Sequence, residues 1–299
     1  MVVSSKKQST PPCLAEAETA NLSSIEILQN PSAGPAREKI SAFIIAFNEE
    51  RHIGDCIASL KFCDEILVID SFSSDSTVAI AEEMGARVIS RRWPGYREQK
   101  AFGLSEVKYD WVINIDADER VDSLLRGEIV QVLEGRDLER TGAPIVGYSL
   151  NRVVFHLGRW WRSGGWYPEY RLRLFRKDAV IWGGQDPHEK PITSGRIEKL
   201  KGELSHYSYS GLEDQFKRLL KFASLSAEES FQLGKKASVF DIVIRPFSRS
   251  VKFFIVKRGY REGVAGLIVA IAEGIYTFMK YARLWELNFN ASEKADENE

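Results

Sequence analysis

Short apolar runs alternate with helix-patterned stretches over the first half of the chain. The runs predict buried strands at residues 41–47, 65–70, 87–90 and 111–115, since each is short and rich in β-branched or aromatic residues. Apolar residues at helical spacing between them predict helices around Ile53–Leu60, Val78–Met84 and Tyr96–Val107. This alternation is typical of β-α-β units and predicts an α/β fold.

Acidic or amide residues follow three of the predicted strands directly. Asn48 to Glu50 follow the first, Asp70 ends the second, and Asp116, Asp118 and Glu119 follow the fourth. Ligands of open α/β sheets bind beyond the carboxyl ends of the strands, so this repetition predicts one ligand site along a sheet edge. Asp116 and Asp118 could face one divalent cation that also binds phosphate oxygens. The alternative is an ordinary acidic turn, because isolated Asp-x-Asp triplets are common.

The second half changes pattern and supplies candidates for a second substrate. Strands are predicted at 148–155 and 171–176, a polar loop at 181–189 and a helix at 212–234. Trp160 and Trp166 flank a Gly-Gly pair, where they would either stack on a sugar ring or pack in the core. Arg171 and Arg173 would bind phosphates of an acidic acceptor or form a solvated strand face.

From residue 238 onward, apolar and basic residues concentrate together. Apolar pieces at 239–244, 253–256 and 263–279 enclose six Lys and Arg residues. This predicts a membrane-associating helical region, and Glu273 disfavours a simple lone span. An ordinary buried helical hairpin is the alternative.

Composition narrows the class of protein. The chain has 299 residues, 44% of them hydrophobic and 28% charged, which suits one large domain with an appendage. A net charge of −1 gives no field that would attract nucleic acid. Three cysteines without metal-site or disulfide spacing, and no basic-apolar leader, favour a cytoplasmic protein.

Five segments together resemble a known family. They are Ile44–Glu50, Val68–Thr77, Gln99–Phe102, Asn114–Glu119 and His188–Glu189. In this order and spacing the chain resembles family-2 glycosyltransferases, close to the branch that adds a β-1,4-linked glucose to an inner-core heptose of lipopolysaccharide. The resemblance implies the GT-A fold, a Rossmann-like mixed sheet flanked by helices.

Composition and patterning, together with the resemblance, predict a domain organisation. We expect a disordered tail over 1–38, a catalytic domain over 39–235, a helical region over 236–288 and a second tail over 289–299. Within the catalytic domain, residues 39–120 would bind the nucleotide sugar and residues 121–235 the acceptor.

The resemblance assigns the donor site residue by residue. The predicted nucleotide-sugar contacts are Ala46, Phe47, Asn48, Glu50, Asp70, Ser71, Asp75, Lys100 and Asp116. Asp70 would accept a hydrogen bond from the base, Lys100 would approach the diphosphate, and Asp118 would hold Mg²⁺ or Mn²⁺. Ala101 departs from relatives that often have Asn after Gln-Lys, which puts a polar contact there in doubt.

Inverting transfer also needs a base that takes the acceptor proton. Glu189 and Asp186 are the candidates, and the resemblance favours Glu189. His206 or His188 could add an imidazole ligand to the cation, which would favour Mn²⁺ over Mg²⁺, and a structural histidine is the alternative for each.

The predicted activity is metal-dependent, inverting transfer of glucose from UDP-glucose to a saccharide on the cytoplasmic face of the inner membrane. Two alternatives stay open: transfer to a polyprenyl phosphate, and a non-catalytic or nucleotidyltransferase-like nucleotide-binding protein.

Overall fold

The computed structural model describes residues 37–135, 143–184 and 189–296. Its strands are β1 Ile40–Ala46, β2 Glu65–Asp70, β3 Arg87–Ser90, β4 Trp111–Asp116, β5 Glu119–Val121, β6 Ile145–His156, β7 Arg159–Trp161, β8 Glu169–Arg176, β9 Ile181–Gly183, β10 Lys190–Ile192 and β11 Arg196–His206. Its α-helices are α1 Ile53–Ser59, α2 Thr77–Glu83, α3 Tyr96–Glu106, α4 Ser123–Leu133, α5 Leu212–Gln232, α6 Val239–Val251 and α7 Gly263–Asp296.

The main sheet has the strand order β3-β2-β1-β4-β8-β6-β11-β5, with β7 paired to β6. Strands β3, β2, β1 and β4 run parallel, whereas β8 pairs antiparallel with both β4 and β6. In the parallel part, Ile45 is level with Ile69 and Asp116. The carboxyl ends of β1, β2 and β4 therefore lie at one edge, as the repeated polar strand ends predicted.

The central strand β1 is buried on both faces, which explains its near-continuous apolar sequence. Ile40, Ala42 and Ile44 pack in one core cluster with residues of α1 and α4. Phe43, on the opposite face, packs in a second cluster with Leu67 and Ile69. The sheet is thus covered by apolar layers on both sides, and the predicted mixed α/β architecture is confirmed.

Three expectations from the sequence need correction. The loop predicted at 181–189 contains β9, which pairs antiparallel with β10. The C-terminal tail predicted at 289–299 is helical as far as Asp296, because α7 continues there. Glu38, placed in the N-terminal tail, instead donates its backbone N–H to Leu133 and pairs with Arg176 at 2.6 Å. Residues 1–36 lie outside the described part of the chain.

The C-terminal helices belong to the same compact unit as the sheet. The described residues from Arg37 onward form that unit, so no separation between compact units falls at the predicted boundary at 235/236. A π-helical turn, Lys252–Val256, follows α6 and leads toward α7. Within the described ranges, the segment Gly259–Glu293 is long and apolar enough to cross a membrane, and 28% of its most apolar window is buried.

Candidate active site

The loops after β1 and β2 are joined by side-chain hydrogen bonds. Asn48 has a positive φ of 54°, which amide side chains tolerate better than most, and its Oδ1 accepts the Ser74 N–H at 2.8 Å. Its own N–H donates to Ser73 Oγ at 2.8 Å. The polar residues after these two strands therefore build one rigid rim.

Asp75 and Glu50 complete this rim. Asp75 Oδ2 accepts the Glu50 N–H at 3.1 Å, and Asp75 Oδ1 accepts the Thr77 N–H at 3.0 Å. Glu50 Oε2 accepts the Ser76 N–H at 3.1 Å. Both carboxylates thus hold the rim together and also line the cavity next to it.

Asp70 and Ser71 lie at the predicted edge but face inward. Asp70 is 1% exposed, and its two oxygens accept from the N–H and the hydroxyl of Ser73. Ser71 is buried, donates its N–H to the Ala46 carbonyl and accepts a hydrogen bond from Gln99. Both residues therefore shape the loop after β2, and their predicted contacts with the nucleotide stay predictions.

Two phenylalanines project from the same strand ends. Phe47, after β1, is 57% exposed, and Phe72, after β2, is 62% exposed. Large rings that are exposed at a ligand edge give flat faces on which a nucleobase stacks. Phe47 was predicted from the sequence, whereas Phe72 was not, since a lone Phe in a Ser-rich loop has no pattern of its own.

A network of buried charges lies behind the end of β4. Arg173 pairs with Asp116 at 2.5 Å and with Glu119 at 2.8 Å, and Lys100 pairs with Asp116 at 3.3 Å. Burial alone would raise the pKa of Asp116, but Arg173 and Lys100 outweigh it and hold that pKa well below its usual range. Both Asp116 oxygens thus face cationic side chains, so the prediction that Asp116 shares a cation with Asp118 is not supported.

Lys100 is committed to carboxylates. It is 6% exposed, and its Nζ donates to Glu189 Oε1 at 2.8 Å while it pairs with Asp116. The other oxygen of Glu189, Oε2, is buried and has no hydrogen-bond partner among the described residues. A buried carboxylate oxygen without a hydrogen-bond partner destabilises the protein unless a substrate group hydrogen-bonds to it. Lys100 thus orients Glu189 Oε1, and the predicted roles of Glu189 as a base and of Lys100 near a diphosphate stay predictions.

Asp118 and His206 converge from two parts of the chain. Asp118 Oδ2 lies 3.3 Å from His206 Nε2, and Tyr207 donates its N–H to the Asp118 carbonyl at 2.9 Å. Ser208 Oγ lies 2.6 Å from His206 Nδ1 and 3.0 Å from His206 Nε2, so the hydroxyl is beside both ring nitrogens. A carboxylate beside an imidazole is a donor set that suits Mn²⁺, and the pair fits a cation whose other ligands are phosphate oxygens and water. Within the described residues no cluster of three or more metal-ligating side chains occurs.

A cavity of about 230 Å³ opens beside this pair. Its lining joins the rim residues to Asp118, Tyr207, Ser208 and a stretch at the start of α5 that includes Asp214 and Arg218. Glu49, also in the lining, has its pKa raised to about 7 by burial and by the Asp118 carboxylate. Arg218 donates from Nε to Asp214 at 3.0 Å and, with Arg51, supplies positive charge to a lining rich in carboxylates. The sequence analysis missed Arg218, because a basic residue in a mixed-charge helix carries no local pattern.

The residues predicted to bind the acceptor lie in different environments. Arg173 is 6% exposed and its two terminal nitrogens donate to Asn114, Asp116 and Glu119, so the geometry does not support its predicted contact with an acceptor. Arg171, two residues away, is exposed and pairs with Glu169. Trp166 packs against Trp161 in a cluster that includes Phe253, which agrees with core packing rather than sugar stacking.

Trp160 lies closer to the candidate site. Its ring packs edge-on against Tyr207, which lines the cavity, with 5.3 Å between centroids. Trp160 and Arg171 therefore stay predictions for acceptor binding. Asp186 and His188 lie outside the described residues.

The sheet is GT-A-like, a mixed α/β sheet flanked by helices, and the cavity lies where its parallel strands end. The glycosyl transferase family 2 pattern matches residues 41–187. An uncharacterized glycosyltransferase of Rickettsia typhi is 31% identical over 265 residues, which cover 85% of this chain and 89% of that protein. This chain therefore belongs to glycosyl transferase family 2 and is a glycosyltransferase of class EC 2.4.

Two further similarities come from characterised proteins. The lipopolysaccharide core biosynthesis glycosyltransferase LpsC of Rhizobium meliloti is 29% identical over 254 residues, which cover 83% of this chain and 92% of that protein. Glucosyl-3-phosphoglycerate synthase of Mycobacterium tuberculosis, solved with Mn²⁺, UDP-glucose and phosphoglyceric acid, is 29% identical with a TM-score of 0.32. That likeness covers 40% of this chain and 45% of the other, so it says nothing about the donor or metal of this chain.

Proposed function

We propose that this chain is a metal-dependent, inverting glycosyltransferase that moves glucose from UDP-glucose to a saccharide of the lipopolysaccharide inner core or a similar membrane-linked acceptor. The enzyme would work as a peripheral protein on the cytoplasmic face of the inner membrane. The observation that carries the proposal is the Asp118–His206 pair, which borders a cavity at the carboxyl ends of β1 and β4. The choice of glucose follows the sequence resemblance, and the acceptor class agrees with the name of the Rhizobium meliloti relative.

Departure of the diphosphate requires positive charge on one side of the cavity. Asp118 and His206 would hold Mg²⁺ or Mn²⁺, and the bound ion would neutralise charge that develops on the leaving group. Arg218 would add a guanidinium, which binds phosphate oxygens in a forked geometry. Asp214 holds the Arg218 Nε, so its two terminal nitrogens are left to reach the phosphates.

The acceptor hydroxyl must lose its proton on the opposite side of the anomeric carbon. Glu189 Oε2 is the atom we assign to this step, because it has no partner among the described residues while Lys100 holds Oε1. Lys100 thereby fixes the orientation of the carboxylate. Asp116, held by Arg173, fixes Lys100 in turn. These residues position the base and do not touch the leaving group.

Donor binding is the first test. Calorimetry with UDP-glucose, UDP-galactose, UDP-N-acetylglucosamine and GDP-mannose, each with Mn²⁺ and with a chelator, should show metal-dependent binding of one UDP-sugar. Asp118→Ala should abolish the metal dependence, whereas Asp55→Ala, at a carboxylate that is 73% exposed, should leave it intact. Equal turnover of UDP-glucose by the Asp118→Ala enzyme would falsify the metal role.

The acceptor is tested separately with radiolabelled UDP-glucose. Transfer to purified inner-core lipopolysaccharide, and none to polyprenyl phosphate alone, is the expected result. Transfer to polyprenyl phosphate without a heptose would assign the enzyme to lipid-carrier glycosylation. Binding of the donor without transfer to either acceptor, by a folded protein, would overturn the proposed acceptor class.

A further inference from the structure

Helix α6 turns its apolar side outward. The exposed side chains on this side are Val239, Phe240, Val243, Ile244 and Phe247. No residue of α6 is buried, and the two phenylalanines are 62% and 71% exposed. A helix of a soluble domain normally packs its apolar side against the core, so this orientation is the reverse of the expected one.

Contacts with α7 fix α6 in that orientation. A Cβ at Gly274 would lie 2.3 Å from Ser250 Oγ and 3.2 Å from the Pro246 carbonyl, so glycine permits the close approach of α6 to α7. Arg249 pairs with Glu273 of α7 at 2.8 Å. The side of α6 that packs on α7 thus contains Pro246 and Ser250, and rotation of α6 to bury its phenylalanines would break both contacts.

Helix α7 continues the exposed apolar surface. Its exposed residues Val264, Leu267, Ile271, Phe278, Trp285 and Phe289 recur at helical spacing. At a rise of about 1.5 Å per residue this stripe is roughly 37 Å long. Ile271 and Phe278 lie about one turn to either side of Gly274, so the stripe runs beside the contact with α6. We call the exposed side of α6 together with this stripe the C-terminal apolar surface.

Positive charge borders this surface. Residues 242–261 contain six Lys or Arg side chains and no Asp or Glu. Arg245 and Arg249 have acidic partners, but Lys252, Lys257, Arg258 and Arg261 form no ion pair among the described residues. Exposed cations next to apolar side chains match the layering of an anionic bilayer, with lipid phosphates above the acyl chains.

From this arrangement we infer that the C-terminal apolar surface docks on an anionic lipid bilayer, with α6 in the plane of the interface. A second copy of the chain fits less well, because a two-fold interface would bring the unpaired cations of both copies into one contact without adding acidic partners. A membrane-spanning α7 also fits less well, because it would carry the Arg249–Glu273 pair into hydrocarbon. The inference rests on the proposed function in one respect: docking would bring the site to a membrane-linked acceptor.

Vesicle co-sedimentation of the full-length protein tests the docking. The protein should bind phosphatidylcholine vesicles that contain phosphatidylglycerol, and high salt should weaken that binding. Phe240→Ser with Phe247→Ser should lower affinity at least about tenfold through lost apolar burial. Lys252→Gln with Lys257→Gln should lower it about 30-fold on anionic vesicles, at about one kcal/mol per cation.

Matched controls lie on other surfaces of the same molecule. Leu124→Ser with Ile197→Ser removes apolar residues that are 59% and 41% exposed and should leave vesicle binding unchanged. Lys61→Gln with Lys201→Gln removes two positive charges elsewhere on the molecule and should also leave vesicle binding unchanged. Equal loss in the controls, or no binding by the folded wild-type protein, overturns the inference.

Two other results also overturn it. A wild-type dimer that the phenylalanine variant converts to monomer, without vesicle binding, would assign the surface to self-association. Resistance of the cellular protein to alkaline carbonate extraction would assign α7 to a membrane span. Because vesicle binding is measured without donor or acceptor, its failure is distinguishable from failure of the proposed reaction, which calorimetry and transfer report.

Discussion

Replacing Arg173 with methionine should lower the free energy of unfolding far more than the same replacement of Arg171 on the same strand. The guanidinium donates to Asp116, Glu119 and Asn114 from inside the sheet, and the residue is 6% exposed. Methionine preserves most of the side-chain length and apolar volume. The variant therefore removes the charge and its hydrogen bonds and leaves two carboxylates with fewer partners.

The size of the effect depends mainly on Glu119. Its side chain is fully buried, and Arg152 at 3.5 Å is its other cationic partner. Breaking a buried pair by removing one partner costs about 3–5 kcal/mol. Asp116, which is 27% exposed, adds less because water reaches it. A loss of this size is a large part of the roughly 5–15 kcal/mol that stabilises a typical domain.

Arg171→Met is the matched control, two residues away on the same strand. Arg171 is 54% exposed and pairs with Glu169, so its loss should cost about 0–1 kcal/mol. Urea titrations followed by circular dichroism give both free energies of unfolding. Adding Asp116→Asn to the Arg173→Met variant should recover part of the loss, because a neutral amide is cheaper to desolvate. Equal midpoints for Arg173→Met and Arg171→Met would refute the reasoning.

Three further predictions concern the site. Phe72→Ala should raise KM for the donor about tenfold, because base stacking contributes about 1–3 kcal/mol. Stability should change little, since the ring is 62% exposed. An unchanged KM in steady-state assays would exclude stacking. Glu189→Gln should lower kcat about 10²–10⁴-fold while calorimetric donor binding persists, and an equal effect of Asp186→Asn alone would move the base to that residue. Burial raises the pKa of Glu49 to about 7 from 4.5, so the folded state keeps its proton to higher pH than the unfolded state. The stability of the metal-free protein should therefore fall as pH rises between these values, and Glu49→Gln should remove that slope in urea titrations; a slope that persists in the variant contradicts the assignment.

Sequence patterns predicted the parallel half of the sheet closely. A strand buried on both faces, such as β1, has a continuous apolar run, and the helices beside it show a clear 3.6-residue period. The site edge was predictable for the same reason, because polar residues end three parallel strands. The predicted bounds failed at two places: α7 continues to Asp296, and β9 forms a strand through its pairing with β10.

The roles of single residues were less predictable. Arg171 and Arg173 are both arginines and lie two residues apart on one strand. Arg171 is nevertheless exposed, whereas Arg173 is buried against Glu119. Strand alternation places residues two apart on the same face of the sheet. It does not predict which charged side chains meet there. The same limit applies to Lys100, whose partners come from β4 and from the segment before β10.

The sequence by itself determined the α/β class, the strands that carry the site, the family and the identity of Asp118 as a metal-ligand candidate. Those properties depend on local periodicity and on motifs that are contiguous in the chain. Three features came from the tertiary structure alone: Asp116 pairs with Arg173 and Lys100, His206 lies beside Asp118, and Arg218 lines the cavity. The tertiary structure also decided that α6 exposes its phenylalanines, because the packing of Ser250 on Gly274, and not the amphipathic pattern, sets which side of the helix faces the protein.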